Sequence, residues 1–117
     1  MHELGLCEAI VHRIEERAGE RPVARVRVRV GRLHHVHPEA FEQSFSMAAA
    51  GGVAEDAVAE LVLLPVRAAC SSCAAETEAD EHILACATCG SVDVELTGGD
   101  ELTLESIEYQ AVGTGAA

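Results

Sequence analysis

The chain has 117 residues, 49% of them apolar, and carries 20 acidic side chains against eight arginines, for a formal net charge of −12. This composition is typical of one compact globular protein and excludes a collagenous or intrinsically disordered chain. No stretch approaches the roughly 20 apolar residues of a membrane helix, and no basic region precedes an apolar run as in a signal peptide. We therefore expect a soluble, cytoplasmic protein with no membrane partner.

The first half of the chain predicts a helix followed by a half-buried strand. Five apolar residues recur at i, i+3, i+4, i+7 and i+11, which predicts an amphipathic helix over about residues 5–19, closed by Gly19 and Pro22. These residues are Cys7, Ile10, Val11, Ile14 and Ala18. Residues 24–30 then alternate strictly between apolar side chains and arginines, which predicts a strand ended by Gly31. We expect the arginine row to be a solvated face paired with acids on a neighbouring strand, rather than a binding stripe.

A second helix and two further strands follow. Pro38 opens the helix, which carries Phe41 and Phe45 on one side and ends at Gly51-Gly52. Residues 59–66 predict a second strand that runs directly into the first pair of cysteines, and residues 101–110 predict a last strand whose apolar residues change phase, indicating a bulge. The tail after Val112 contains only Gly, Ala and Thr, so we expect it to be disordered.

Four of the five cysteines form the pattern Cys70-x2-Cys73-x12-Cys86-x2-Cys89. Each C-x-x-C knuckle (residues 70–73 and 86–89) can offer two thiolates to one tetrahedral ion. The alternative, two redox pairs, normally occupies a strand-to-helix turn. We favour zinc over iron because no aromatic residue lies between positions 66 and 104 to shield an electron-transfer site. A closed four-thiolate site is structural, not catalytic.

The sequence therefore predicts an α+β fold, with a small three-stranded sheet, two helices and an inserted zinc-binding module. We assign residues 1–67 and 97–117 to a discontinuous α/β domain and residues 68–96 to the zinc-binding domain. The arginines all lie within positions 1–67, whereas positions 68–117 hold ten acidic residues and no basic one. Because a segment without cations cannot neutralise phosphates, we predict no nucleic-acid partner.

The first three residues, Met1-His2-Glu3, offer a set of nitrogen ligands. The Met1 amine, the deprotonated His2 amide and the His2 imidazole can close a five-membered and a six-membered chelate, while Glu3 can add an amide nitrogen or a carboxylate. Such a set suits Ni(II) or Cu(II) better than Zn(II). Taken alone, however, a histidine at position two is more often part of a frayed terminus. The loop residues His34, His35 and His37 could supply a further nickel ligand, or be merely solvated.

Together these features resemble the HypA family of hydrogenase nickel maturation chaperones. The resemblance rests on five motifs: Met1-His2-Glu3, Val30-Gly31 after the alternating strand, Pro38-Glu39-Ala40-Phe41, the four cysteines, and Ser106-Ile107-Glu108. It implies a nickel metallochaperone, not an enzyme, that delivers Ni(II) with a partner GTPase to the large subunit of [NiFe]-hydrogenase. It also implies that nickel is held at Met1, His2 and Glu3, and structural zinc at Cys70, Cys73, Cys86 and Cys89.

This chain departs from the family near the zinc ligands. Family members often have histidines beside the cysteines, whereas here Ala74 and Gly90 follow the two knuckles, and His82 is the one histidine in the spacer. The alternative function is a zinc-ribbon module for protein interaction or nucleic-acid binding, with no role in nickel handling. A zinc hydrolase has only Glu3 and His12 to support it, and would need an open metal position. The sequence leaves open whether the client is a hydrogenase or a urease.

Overall fold

A computed structural model of the chain describes residues 2–111, which form two helices and two three-stranded sheets. The first sheet has the strand order β2-β1-β6 and the second the order β4-β3-β5. The elements, in chain order, are α1 (His2–Ala18), β1 (Val23–Gly31), the short 3-10 helix η1 (Arg32–His34), α2 (Pro38–Ala49), β2 (Val58–Leu64), β3 (Val66–Cys70), β4 (Glu76–Ala79), β5 (Val94–Gly98) and β6 (Leu102–Tyr109). The predicted α+β class with two helices is confirmed.

The two helices pack against each other through the apolar faces that the sequence predicts. Cys7 on α1 is fully buried, and its thiol donates a weak hydrogen bond to the carbonyl oxygen of Phe41 on α2, 3.5 Å away. Burial, with a smaller contribution from the negative charge of Glu3, raises the pKa of Cys7 to about 11. Cys7 is therefore a protonated core residue and not a reactive thiol.

The arginine row on β1 is confirmed as a solvated, charge-balanced face. Val26, Val28 and Val30 are fully buried, and the arginines between them are exposed. Arg27 places its Nε 3.0 Å from Glu60 of β2, and its Nη1 3.4 Å from Glu105 of β6. Exposed pairs of this kind contribute little to stability. They show that the arginines of the alternating pattern face solvent and are paired with acidic residues, as expected for a solvated face and not for a binding stripe.

The predicted strand over residues 59–66 is wrong in one respect, because it is two strands. Pro65 divides it, so that β2 ends at Leu64 in the first sheet and β3 begins at Val66 in the second. Proline has no N–H to donate to a strand ladder, which explains the break. β3 pairs antiparallel with both β4 and β5, and its pairing with β5 has a register irregularity between Arg67 and Ala68.

The last strand shows the change of phase that the sequence indicates. In β6, Leu104 and Ile107 are partly buried, while the two residues between them are both exposed. The expectation of a disordered tail concerns residues outside the described range, since residues 112–117 are not described. Within residues 2–111, no helix is long and apolar enough to cross a membrane.

The described residues divide into two compact units. The first unit contains residues 2–28, 36–61 and 104–111, and thus both long helices. The second contains residues 29–35 and 62–103, and thus both cysteine knuckles. The predicted zinc-binding segment, residues 68–96, lies within the second unit, and its boundaries as a separate domain stay a prediction.

Candidate metal centre

The four cysteines predicted as zinc ligands converge on one point. Their Sγ atoms all lie within 4.8 Å of one another. Cys70 and Cys89 are 3.6 Å apart at sulfur, and so are Cys73 and Cys86. Four sulfurs bound tetrahedrally to zinc at about 2.3 Å would be separated by about 3.8 Å. The sulfur arrangement therefore fits a tetrahedral ion of this size, with no open position for catalysis.

Each knuckle turns its own backbone amides towards its first cysteine. The amide of Ser72 donates to Cys70 Sγ and the amide of Thr88 donates to Cys86 Sγ, both at 3.3 Å. Hydrogen bonds from backbone N–H groups favour the thiolate over the thiol. Those from Cys89 and Thr88 lower the pKa of Cys86 to about 6, and that from Cys73, the largest contribution, lowers the pKa of Cys70. Each knuckle thus stabilises the thiolate of its first cysteine, the form that binds metal.

Cys73 differs from these two thiols. The Ala75 amide favours its thiolate, but desolvation and the adjacent cysteines outweigh that effect and raise the pKa of Cys73 to about 12. Four thiolates this close cannot all be charged without a cation between them. The cluster therefore requires a cation to reach the fully deprotonated state.

The two knuckles repeat the same backbone turn sixteen residues apart. Cys70 N–H donates to the Ala75 carbonyl at 2.9 Å, and Cys86 N–H donates to the Ser91 carbonyl at 2.8 Å. Each turn needs a left-handed residue directly after its second cysteine, Ala74 with φ 65° and Gly90 with φ 78°. Neither knuckle is at a strand-to-helix turn, since the first joins β3 to β4 and the second precedes β5. The redox alternative therefore lacks its usual setting.

Glu3, predicted as a nickel ligand, has a buried carboxylate that holds a loop. Its Oε2 accepts a hydrogen bond from the backbone N–H of His37 at 3.1 Å, and its Oε1 lies 3.6 Å from Nδ1 of His2. The His37 amide is the largest of the effects that lower the pKa of Glu3 to about 2. The described residues do not include Met1. Of the three residues predicted to bind nickel, the structure therefore describes His2, at the start of α1, and Glu3.

The three loop histidines have three different environments. His37 contributes its backbone to Glu3, as just described. His34 has its Nε2 atom 2.9 Å from the carbonyl oxygen of Asp100, and the His35 ring lies beside that of His82. Sequence reasoning grouped these histidines and missed both the Glu3–His37 contact and the His35–His82 pair. For the Glu3–His37 contact, the one local indication in the sequence was the position of the acidic Glu3 in the first turn of α1.

Comparison with known proteins identifies the chain's relatives. A family model described as "Hydrogenase/urease nickel incorporation, metallochaperone, hypA" matches residues 1–109. The hydrogenase maturation factor HypA of Rhodopseudomonas palustris is 40% identical over 111 residues, covering 92% of this chain and 98% of that protein. HypA 2 of Bradyrhizobium diazoefficiens is 37% identical over the same shares of the two chains.

A solved structure supports the same relationship. The solution structure of the Ni metallochaperone HypA from Helicobacter pylori superposes with a TM-score of 0.65 and 26% identity. The match covers 93% of this chain and 97% of that one. The resemblance inferred from the sequence motifs is confirmed along nearly the whole chain.

Proposed function

Because the chain belongs to the HypA family of nickel-incorporation metallochaperones, we propose that it binds Ni(II) at its N-terminus and delivers it for the maturation of [NiFe]-hydrogenase. This family is one of metallochaperones and not of enzymes. The family match over residues 1–109 is the observation that carries the proposal, since it includes the Met1-His2-Glu3 triplet. The nickel ion is cargo, to be bound and released.

In the proposed site, nickel is held by the Met1 amine, the His2 amide and imidazole, and Glu3. The exposed His2 side chain, at the very start of α1, supports this assignment, because an incoming ion can reach it. The Glu3 carboxylate already accepts a hydrogen bond from His37. We therefore propose that Glu3 provides its backbone nitrogen, while its carboxylate fixes the position of the turn that carries His2.

The four-cysteine site is proposed to hold a structural Zn(II) ion through Cys70, Cys73, Cys86 and Cys89. The sulfur separations and the amide hydrogen bonds to two of the thiols support this choice. When bound, zinc would supply charge neutralisation and cross-linking for residues 68–96, which we propose as a zinc-binding domain. Residues 1–67 and 97–117 would form the nickel-binding domain.

The proposed partners follow from the same family. Nickel delivery in hydrogenase maturation implies contact with other maturation factors, and we propose a nickel-maturation GTPase and the hydrogenase large subunit, in the cytoplasm. The absence of basic residues after Arg67 supports a protein partner over nucleic acid. The hydrogenase client is favoured over urease because the relatives at 40% and 37% identity are named hydrogenase maturation factors.

Nickel titration of three zinc-loaded proteins tests the N-terminal site. The first begins at Met1 without a tag, the second carries a few residues ahead of Met1, and the third is His2→Ala. We expect tight nickel binding only in the first, because the extension destroys the amine chelate and the substitution removes the imidazole. Equal affinity in all three would overturn the assignment, and an unchanged helical circular dichroism signal together with retained zinc content would show that the proteins are folded. With no nickel binding in any of them, the zinc-ribbon alternative would be favoured.

A further inference from the structure

Two histidines of the second unit lie side by side, and neither belongs to the proposed nickel or zinc site. The ring centroids of His35 and His82 are 6.1 Å apart, with their planes inclined at 42°, and both residues are exposed. Two imidazoles bound to one ion at about 2.0–2.1 Å have centroids on the order of 5–6 Å apart. A small side-chain adjustment would therefore let both rings reach one cation.

The backbone around His35 is arranged in an uncommon way. His35 closes η1 in the left-handed region, with φ 53°, and its N–H donates to the Arg32 carbonyl at 3.1 Å. Residues other than glycine adopt this conformation in a few per cent of cases, with histidine among the more frequent, and such positions are concentrated at functional sites. Arg32 also pairs with Asp80, Nε to Oδ1 at 3.4 Å. The pair connects η1 to the segment just before His82, although 47 positions separate the two histidines.

The surroundings of the pair favour a cation. Glu81 directly precedes His82 and is exposed, and no lysine or arginine follows Arg67 in the sequence, whereas the neighbouring Asp80 is already paired with Arg32. His82 also borders an apolar cavity of about 210 Å³ lined in part by Leu33, Ile83 and Leu96. An apolar wall on one side lowers the local dielectric and strengthens electrostatic interactions with a bound ion.

We propose that His35 and His82 form a second, exchangeable binding site for a borderline divalent cation; the choice of Ni(II) as that cation rests on the proposed function. Imidazole nitrogen suits Ni(II), Cu(II) and Zn(II). Among residues 2–111, the four cysteines are the one group of three or more ligating side chains close enough to share an ion. The histidine site therefore has two protein ligands, with water in its other positions, and releases its ion readily. It does not depend on the N-terminal chelate.

The test uses the zinc-loaded full chain with residues added ahead of Met1, so that the amine chelate is absent. Aqua-coordinated Ni(II) is paramagnetic and broadens the NMR signals of ligating imidazoles. We expect sub-stoichiometric Ni(II) to broaden the ring signals of His35 and His82 before those of other histidines. The outcome separates this site from the proposed function, because the N-terminal chelate is disabled throughout.

Three asparagine variants complete the experiment. His35→Asn and His82→Asn should each weaken nickel binding by about tenfold or more. A loss of about this size is typical when a residue that only hydrogen-bonds to a metal ligand is removed, and removal of the ligand itself should cost at least as much. Asparagine tolerates the left-handed backbone of position 35, and His82→Asn provides a second test if the first variant misfolds. The control is His12→Asn, an exposed histidine on α1 that is expected to leave affinity unchanged. Uniform broadening of all histidines, or full affinity in His82→Asn, would overturn the proposal.

Discussion

Glu3 shows at the scale of a single residue how the first turn of α1 is held in place. Its carboxylate is buried against the backbone N–H of His37, the residue that precedes α2. A charged acceptor makes a stronger hydrogen bond than a neutral one. The turn that carries His2 is thereby attached to the loop before α2.

The lowered pKa of Glu3 has a defined consequence for stability. A carboxyl with a folded-state pKa of about 2 stabilises the protein above its ordinary pKa of 4.5, and that contribution is lost as the pH falls from about 4.5 to 2. Glu3→Gln should therefore lower the free energy of unfolding at pH 7, as measured by urea unfolding. The difference in this free energy between the variant and the native chain should become smaller as the pH is lowered towards 2. Glu8→Gln, an exposed change in the same helix, is the control. A deficit that is the same at every pH would contradict this account.

At the scale of elements, the end of β1 and the turn between β5 and β6 approach closely through two glycines. Gly31 N–H donates to the Glu101 carbonyl at 2.8 Å, and Leu33 N–H donates to the Gly99 carbonyl at 2.9 Å. A Cβ built on Gly31 would overlap the carbonyl of Gly99. Gly99 itself has φ +113°, a conformation that favours glycine. The sequence indicated that the first strand ends at Gly31 but not that this end meets Gly99.

Gly31→Ala should therefore be destabilising, by about 1–3 kcal/mol or more, because the added methyl group meets backbone that cannot rotate away. Gly5→Ala is the matched control, since nothing lies within 4 Å of a Cβ on Gly5. In the interior of α1 that change should stabilise the protein by about 0.5–1 kcal/mol. Chemical denaturation of the two variants should therefore show a lower free energy of unfolding for Gly31→Ala and a higher one for Gly5→Ala. If Gly31→Ala were neutral, the close approach would be wrong.

For the whole molecule, the sequence predicted what local patterns encode. Helical spacing located α1 and its buried Cys7, strict alternation located β1, and the cysteine spacing predicted the four-thiol cluster. β4 was missed because Glu76–Ala79 has no apolar alternation. The contacts of His37 with Glu3 and of His35 with His82 join residues 34 and 47 positions apart, which no local pattern specifies. Prediction therefore succeeded for most elements and for the contacts that a repeating pattern implies, and failed for these two contacts between distant segments.

Metal removal should affect the two units differently. The second unit buries few large side chains, and its sheet leads into both knuckles, so we expect it to depend on metal binding for much of its folding free energy. The first unit has its own core, including Phe41, Phe45 and Ile14. Chelation, or Cys73→Ala, should thus abolish amide exchange protection in β3, β4 and β5 while α1 and α2 keep theirs.

Hydrogen exchange read by mass spectrometry measures this segment by segment, alongside zinc content. Ser71→Ala is the matched control. Ser71 is exposed and donates a hydrogen bond to the Asp93 carbonyl through its backbone amide, so the substitution keeps this hydrogen bond and removes no thiol. That variant should keep both zinc and protection. The extent of the exchange also tests the domain boundary, because loss confined to residues 66–98, from the start of β3 to the end of β5, supports a separate zinc-binding domain close to the proposed bounds of 68–96. Simultaneous loss of protection in α1 would instead show one cooperative unit, and unchanged protection with full zinc in Cys73→Ala would exclude the four-thiolate site.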